Sequence, residues 1–388
     1  MGSLSFRSVE DDRVSHGRMP KRKTVTTPDR LQQQLSSIRG SLDRIDSSLL
    51  SLLHERISLV EEIGRIKTRM ARGSWAPARE KEVLERLVRE NRGLFPDRAL
   101  KHIFGEIFSV SRQKEKPIRV VYYGLPGSLT HAASVEQFGS STRYEASDNV
   151  EEVFERVGAG LADYGFVPPE VSCEGIKSHS LELLLRSDLT ISAEYYLNLE
   201  LVLASSRRQA PIREVVVQPQ VFGLVREWMG AHLPRDLTIT WLTGSAEAAA
   251  ACRGREGVAC ITLPFTARHF GLTVRAGPIP YGPTRRLRFF ATGRSLPPAT
   301  RSDKTTIAFT LVDRVGVLEE TLKAFRKQKI NLSFLETYPA SRASPTDIFF
   351  ADVLGHMDEP AIVKAVRELR RCCAFVKVLG SYPVFQSG

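Results

Sequence analysis

The 388-residue sequence predicts a multidomain chain, with an all-α N-terminal part, a two-lobed α/β middle and an α+β C-terminal module. Three observations predict it. Apolar residues recur in alternating steps of three and four from Leu35 onward, which marks a helix with one apolar stripe. After Pro117 short apolar runs alternate with helical patterns, the order of an α/β sheet with largely parallel strands. From Thr305 the chain reads strand, helix, strand, strand, helix, strand, the ferredoxin-like order.

Residues 1–29 are rich in charge, Ser, Thr and Pro, and read as a disordered basic arm around Pro20-Lys21-Arg22-Lys23. The stripe Leu35, Ile38, Leu42, Ile45, Leu49, Leu52, extended by Val60, Ile63 and Ile66, predicts one helix from Leu31 to Met70. At 1.5 Å per residue it spans about 55–60 Å, and a helix so long with one apolar face implies a partner chain. Arg72-Gly73-Ser74 breaks it, Pro77 suits the first turn of a second helix to Asn91, and Pro96-Asp97 starts a third that runs to Gln113. The helical domain is thus expected over 30–116. An α/β domain over 117–296 opens on the strand Ile118–Tyr123 and the turn Gly124-Leu125-Pro126-Gly127, and continues through strands at 164–167, 189–191, 199–203, 215–217 and 259–261. A polar stretch leads to the last module, 304–384, with helices at Gly316–Lys327 and Pro360–Cys372.

Composition narrows the class. No apolar run approaches the roughly 20 residues of a membrane helix. The first residues carry no apolar leader core, and Phe6 stands where a myristoylation signal needs Ser or Thr. Five cysteines (173, 252, 260, 372 and 373) lack metal-type spacing, which suits a cytoplasmic protein with reduced thiols. The net charge of +11 is spread over every domain rather than gathered on a face with aromatics, so small acidic ligands are expected and nucleic acid is not.

The N-terminal helices carry Arg39, Glu55-Arg56, Gly64-Arg65-Ile66-Lys67 and Arg79-Glu80. Arg56 and Lys67 are eleven residues apart, within about 20° of one helix face, so both can point into one pocket. Arg39 lies about 42 Å from Lys67 along the axis, so it can serve such a pocket only from a second, antiparallel copy. This pattern resembles the all-helical chorismate mutase domain. The resemblance implies that Arg39, Arg56 and Arg79 bind substrate carboxylates and Lys67 the ether oxygen, while Glu80 and Ser111 make hydroxyl and polar contacts. Glu115 stands where that family has Gln or Glu beside the same oxygen. As Glu it helps only when protonated, which predicts activity falling at alkaline pH. The same cations would also suit an ordinary solvated helix face.

Residues 118–296 carry Gly124-Leu125-Pro126-Gly127-Ser128-Leu129-Thr130-His131, Asp163-Tyr164-Gly165-Phe166-Val167-Pro168 and Ser245-Ala246-Glu247-Ala248-Ala249. They resemble the catalytic part of prephenate dehydratase, a two-lobed, periplasmic-binding-like α/β fold around a cleft. The resemblance implies substrate contacts from Ser128, Glu170, Ser172, Thr284, Arg285 and Arg288. Two departures stand out. Pro168-Pro169-Glu170-Val171-Ser172 lacks the family's Asn, and the place of its catalytic Thr before Arg288-Phe289 holds Leu287; an alternative register puts Thr284-Arg285 there. Expelling hydroxide from a ring carbon needs a proton donor, which leucine is not. Three outcomes stay open: dehydration through Thr284, Ser128 or another donor, binding without turnover, or a different decarboxylation of prephenate, as in the related prephenate decarboxylases. Cys173 reads as a packed small residue, and His131 and His179 as hydrogen-bonding groups rather than bases.

The last module carries Gly316-Val317-Leu318, Asn331-Leu332, Glu336-Thr337-Tyr338-Pro339 and Val378-Leu379-Gly380-Ser381-Tyr382-Pro383, and resembles the phenylalanine-sensing ACT domain of prephenate dehydratases. That implies an amino-acid effector, phenylalanine, held by Gly316, Val317, Leu318, Asn331, Leu332 and Glu336, with Tyr338 replacing the family's Arg. A purely structural dimerisation module is the alternative. In domain order the chain resembles the bifunctional chorismate mutase/prephenate dehydratases of L-phenylalanine biosynthesis. That implies chorismate and prephenate as substrates, no cofactor or metal, and a homodimer or higher homo-oligomer. The rival from another class is a non-catalytic amino-acid-binding regulator.

Overall fold

The computed structural model describes residues 27–69, 75, 77–93, 95–169, 179–282, 286–300, 302–338 and 346–384. The chain divides into two compact units, the first ending at Leu59 and the second starting at Val60. Helix α1 (Thr27–Arg69) is 43 residues long and starts four residues before the expected Leu31, inside the segment whose composition reads as a disordered arm. The reason is local: Pro28 fits a first helical turn and Asp29 faces the positive end of the helix dipole. In the first unit the stripe Leu31, Leu35, Ile38, Leu42, Ile45, Leu49 and Leu52 is exposed.

In the second unit α2 (Pro77–Glu90) and α3 (Asp97–Glu115) form a helical pair. Two lobes follow. The first contains β1 (Arg119–Tyr123), α4 (Leu129–Phe138), β2 (Arg143–Ser147), α5 (Val150–Gly158), β3 (Tyr164–Val167), α6 (Ser180–Arg186) and β4 (Thr190–Asn198). The second contains β5 (Val202–Ser205), β6 (Glu214–Val217), α7 (Pro219–His232), β7 (Thr238–Trp241), α8 (Ser245–Cys252), β8 (Val258–Thr262), α9 (Pro264–His269) and β9 (Thr273–Ala276). Strand β10 (Arg286–Gly293) returns to the first lobe. The C-terminal module is β11 (Asp303–Leu311), α10 (Val317–Lys327), β12 (Leu332–Tyr338), β13 (Ile348–Leu354), α11 (Pro360–Cys372) and β14 (Cys373–Pro383).

The expected parallel pairing holds for β1 with β2 and β3, and for β6 with β7 and β8. It fails for β10, antiparallel to β3 and β4, and for β5, antiparallel to β8 and β9. The cause is the double crossing: the chain leaves the first lobe after β4 and re-enters it along β10, so the crossing strands run against their neighbours. An apolar cluster joins both lobes, with Val120, Phe138, Phe166 and Phe289 from one and Val215, Val217 and Ile261 from the other.

The C-terminal module is built into the first lobe's sheet. Nine strands run β12-β13-β11-β14-β4-β10-β3-β1-β2, joined at the seam by Gly380 of β14 beside Ile191 of β4. A Cβ at Gly380 would stand 2.3 Å from the Ile191 carbonyl oxygen, so only glycine lets these strands meet. Beside this contact lies a buried ionic cluster. Arg288 donates to Glu194 at 2.8 Å, Asp352 at 2.5 Å and the Tyr382 hydroxyl at 3.1 Å, while Lys304 holds Glu194 at 2.7 Å. Thr306 donates to Asp352 at 2.7 Å. On β14 Lys377 donates to the carbonyls of Leu184, Leu185 and Ser187 at 2.7–3.0 Å, closing the C-terminal end of α6.

Replacing Gly380 with alanine is therefore expected to cost about 1–3 kcal/mol, the usual penalty of overpacking. The loss is read as a lower urea midpoint of the full chain. An unchanged midpoint would show that the seam does not depend on this approach.

Candidate functional sites

Of the expected mutase residues, the second unit brings Lys67, Glu80, Ser111 and Glu115 to α3 and the helix segments beside it. Lys67 Nζ lies 2.8 Å from Glu115 Oε1, with the Glu115 side chain only 10% exposed. This meeting depends on Gly64, where a Cβ would stand 3.0 Å from Glu115 Cγ and 3.1 Å from its carbonyl oxygen. The Gly-Arg-Ile-Lys run thus combines close approach of α1 to α3 with a cation three residues on. Glu80 accepts from Arg112 Nη1, and Arg112 Nη2 donates to the Phe138 carbonyl at 2.5 Å. Ser111 is buried and donates to the Ile107 carbonyl at 2.6 Å. Arg79 lies on the exposed side of α2, paired with Glu82 at 2.6 Å. Arg39 and Arg56 belong to the first unit, both on α1.

Sequence reasoning passes over Arg112, although a signal for it is present. It sits four residues after Phe108, on the buried face of α3, where a cation must be paired to be tolerated. It ties the Glu80 carboxylate to the end of α4. Trp75 reinforces the same joint, its ring 4.5 Å from Phe138 and 4.8 Å from Tyr164.

In the dehydratase-like part, Ser128 is the N-cap of α4 and accepts from the His131 backbone N–H at 3.3 Å. His131 Nδ1 accepts from the Gly127 N–H at 3.0 Å, and its ring stacks on Tyr122 at 4.6 Å. Burial, with His269 nearby, lowers its pKa to about 4, so a neutral imidazole holds the turn. The second lobe pins this turn as well: Thr266 Oγ1 donates to the Gly127 carbonyl at 2.7 Å. His179 precedes α6, exposed and 3.8 Å from Glu182. Glu170, Ser172, Cys173, Thr284 and Arg285 lie outside the described residues. Leu287 pairs with Leu197 across β10 and β4 and packs against the interlobe apolar cluster. Arg288, expected as an anion ligand, instead turns its guanidinium to the C-terminal module, into the cluster with Glu194 and Asp352.

Two further residues escape the sequence reading. Gln218 and Thr262 are each 1% exposed, and among the described residues Gln218 Nε2 and Oε1 and Thr262 Oγ1 have no hydrogen-bond partner. Gln218 follows β6 and Thr262 ends the parallel strand β8; the register pairs Val216 with Cys260, so the positions two residues further on are neighbours. Gln218 is also the N-cap of α7 and Leu263 that of α9, each followed by a proline. The crevice at the carboxyl ends of parallel strands, facing helix N-termini, is the ordinary place for an anionic ligand in such sheets. A polar side chain between a strand end and a helix-starting proline is the available signal.

In the last module Gly316 takes φ +84° as the N-cap of α10, Val317 is buried and Leu318 is 39% exposed. Asn331 precedes β12, which carries Leu332, Glu336 and Tyr338 at the end of the nine-stranded order. Tyr338 packs edge-on against Phe350, their ring centroids 5.1 Å apart.

Three family models match in succession: chorismate mutase type II over residues 38–116, prephenate dehydratase over 120–295 and ACT domain over 305–371. A bifunctional chorismate mutase/prephenate dehydratase of Aquifex aeolicus is 33% identical over 356 residues, spanning 90% of this chain and 98% of that protein. One from Stutzerimonas stutzeri is 31% identical with the same coverage. Among solved structures, a prephenate dehydratase from Arthrobacter aurescens in complex with L-Phe superposes with a TM-score of 0.62 at 28% identity, covering 69% of this chain and 90% of its own.

The Lys67–Glu115 contact generates a test. Replacing Glu115 with glutamine is expected to raise kcat/KM for chorismate at neutral pH several-fold, because an amide can donate where the carboxylate only accepts and no longer ties up Lys67. An unchanged or lower kcat/KM would contradict this role.

Proposed function

The chain belongs to the bifunctional chorismate mutase/prephenate dehydratase family, and we propose that it rearranges chorismate to prephenate and converts prephenate to phenylpyruvate, with phenylalanine as effector. The observation that carries the first step is Lys67 held 2.8 Å from Glu115 where Gly64 lets the two helices touch. The rearrangement needs no nucleophile: one C–O bond breaks as a C–C bond forms, and the ether oxygen gains negative charge. A cation and a hydrogen-bond donor fixed at that oxygen stabilise the developing charge, while arginines on the two carboxylates hold the folded substrate. By the family resemblance Arg39, Arg56 and Arg79 are these arginines, Arg39 coming from a second copy. The exposed stripe along α1 supports that homodimer, since Leu35, Ile38, Leu42, Ile45 and Leu49 are each more than 40% exposed.

In the second step carbon dioxide leaves, its bonding electrons enter the ring, and the ring hydroxyl departs as water once protonated. Ser128 uses only its oxygen in capping α4, which leaves its proton for the leaving group, and Thr284 is a second donor. Gln218 and Thr262 bind a carboxylate of prephenate beside the N-terminus of α7, with Glu170, Ser172 and Arg285 completing the site, while Arg288 is committed to Glu194 and Asp352. A second reading, a site that binds prephenate without dehydrating it or decarboxylates it differently, is favoured by Leu287, which puts an apolar side chain where the family has its threonine. The effector reading rests on the positive-φ turn at Gly316, whose following N–H groups open α10. It extends to Asn331, Leu332 and Glu336. The free thiols of Cys252, Cys260, Cys372 and Cys373 suit a cytoplasmic enzyme.

Two substitutions separate the steps. Lys67→Ala is expected to lower kcat/KM for chorismate at least a hundredfold, about 2.7 kcal/mol, with prephenate consumption unchanged. Gln218→Ala is expected to leave the mutase untouched and weaken prephenate turnover about tenfold to a hundredfold, as for a hydrogen bond to a charged group. Full chorismate turnover by Lys67→Ala would refute the first assignment, and full prephenate turnover by Gln218→Ala the second.

A further inference from the structure

The C-terminal module contains two adjacent cysteines that neither catalytic step uses. Cys372 is the last residue of α11 and Cys373 the first of β14. Their sulfurs lie 3.9 Å apart, and both residues are partly exposed. Both sulfurs also touch one buried group, Thr321 Oγ1, at 3.8 Å and 3.6 Å. Thr321 donates to the Val317 carbonyl at 2.8 Å, which leaves its oxygen to accept from the Cys373 thiol, while the Cys372 thiol donates to the Leu369 and Glu368 carbonyls at 3.5 and 3.6 Å. Thr321 therefore bonds back to the residue after Gly316. On the other side, Cys373 pairs with Leu311, the last residue of β11. The dithiol thus touches both ends of the turn 312–316, at Leu311 where the chain enters and at Thr321 just after it leaves.

We infer that Cys372 and Cys373 form a modification site for hydroperoxides, whose closure to a disulfide between neighbouring residues reshapes the turn at Gly316 and weakens effector binding. The effector half of this inference rests on the proposed role of Gly316, Val317 and Leu318. The chemistry balances. The Cys372 thiolate attacks the peroxide, the O–O bond breaks, and the departing oxygen leaves as water or an alcohol after taking a proton. The resulting sulfenic acid is attacked by Cys373, the S–O bond breaks, and the hydroxide leaves as water with the Cys373 proton. Two thiols lose two electrons and one hydroperoxide gains them. Burial pushes the Cys373 thiol up to about 11, which makes it the resolving partner rather than the first attacker.

Closure cannot leave the surroundings as they are. The sulfurs must move from 3.9 Å to a bond of about 2.05 Å, and closure removes both S–H groups, so neither sulfur can then donate to Thr321 Oγ1. Neighbouring Cα atoms are about 3.8 Å apart, below the usual disulfide span of about 4.4–6.8 Å. The bridge is therefore strained and the peptide between the cysteines must twist. That peptide supplies the Cys373 N–H, which caps α11 at the Leu369 carbonyl. Strained, exposed bridges are readily reduced, as a reversible switch requires.

The test uses the full chain, reduced or treated with one equivalent of hydrogen peroxide. Arg371 and Lys377 flank the pair, so trypsin releases both cysteines in one peptide, expected to lose two hydrogens after peroxide and regain them with dithiothreitol. Calorimetry with L-phenylalanine is expected to show binding at least tenfold weaker after oxidation, restored by reduction and insensitive to peroxide in Cys372→Ser and Cys373→Ser. Hydrogen exchange over residues 312–321 is expected to quicken on oxidation, while chorismate rearrangement stays constant as a check on folding. No intrapeptide bridge, or a bridge with unchanged exchange at 312–321, overturns the inference. If the reduced chain binds no phenylalanine, the effector reading fails by itself and hydrogen exchange alone decides for or against the clasp.

Discussion

The ionic cluster between β4, β10 and the C-terminal module is the constraint on which the second unit depends. Arg288 and Lys304 face Glu194 and Asp352, with side chains between 0% and 12% exposed. Removing such charges from water is costly, and the set is tolerable because each has an opposite partner and further hydrogen bonds from Tyr382 and Thr306. Losing one member would strand another in a dry seam. The two cations come from β10 and β11 and the two anions from β4 and β13, so the cluster forms only when the first lobe and the C-terminal module share one sheet. The module is accordingly part of the lobe's scaffold.

Strand β10 carries this constraint toward the cleft. Its Leu287 and Phe289 face the apolar cluster between the lobes, while Arg288 faces the module. A strand alternates its faces, so Leu287 and its neighbour Arg288 serve opposite sides of the sheet. A comparable joint links the helical pair to the first lobe: Arg112 holds Glu80 with one arm and the Phe138 carbonyl with the other. The elements around both candidate sites within this unit are thus fastened to the same lobe.

Much of this is legible in the sequence, because much of it is local. The stripe of α1, the proline opening α2 and the strand order of the C-terminal module follow from periodicity and turn chemistry, and the structure has them within a few residues. The start of α1 is less legible, because charge and proline in 27–30 suit disorder and a good first turn alike. Site residues are legible where a motif sits on one element, as with Gly64 and Lys67. They are not where the partner comes from afar. Arg288 resembles an anion ligand until Asp352, sixty-four residues on, is placed beside it. Gln218 and Thr262 become neighbours only through the register of β6 and β8.

The central claim is that one chain carries chorismate through two reactions despite Leu287. Its most direct test is to incubate the purified chain with chorismate at neutral pH and identify the products by mass. Phenylpyruvate well above the non-enzymatic background is the expected result, and it would show that a donor other than the family's threonine protonates the leaving hydroxyl. Accumulated prephenate, or a decarboxylated product that keeps the ring hydroxyl, would contradict the second reaction, and untouched chorismate would contradict both.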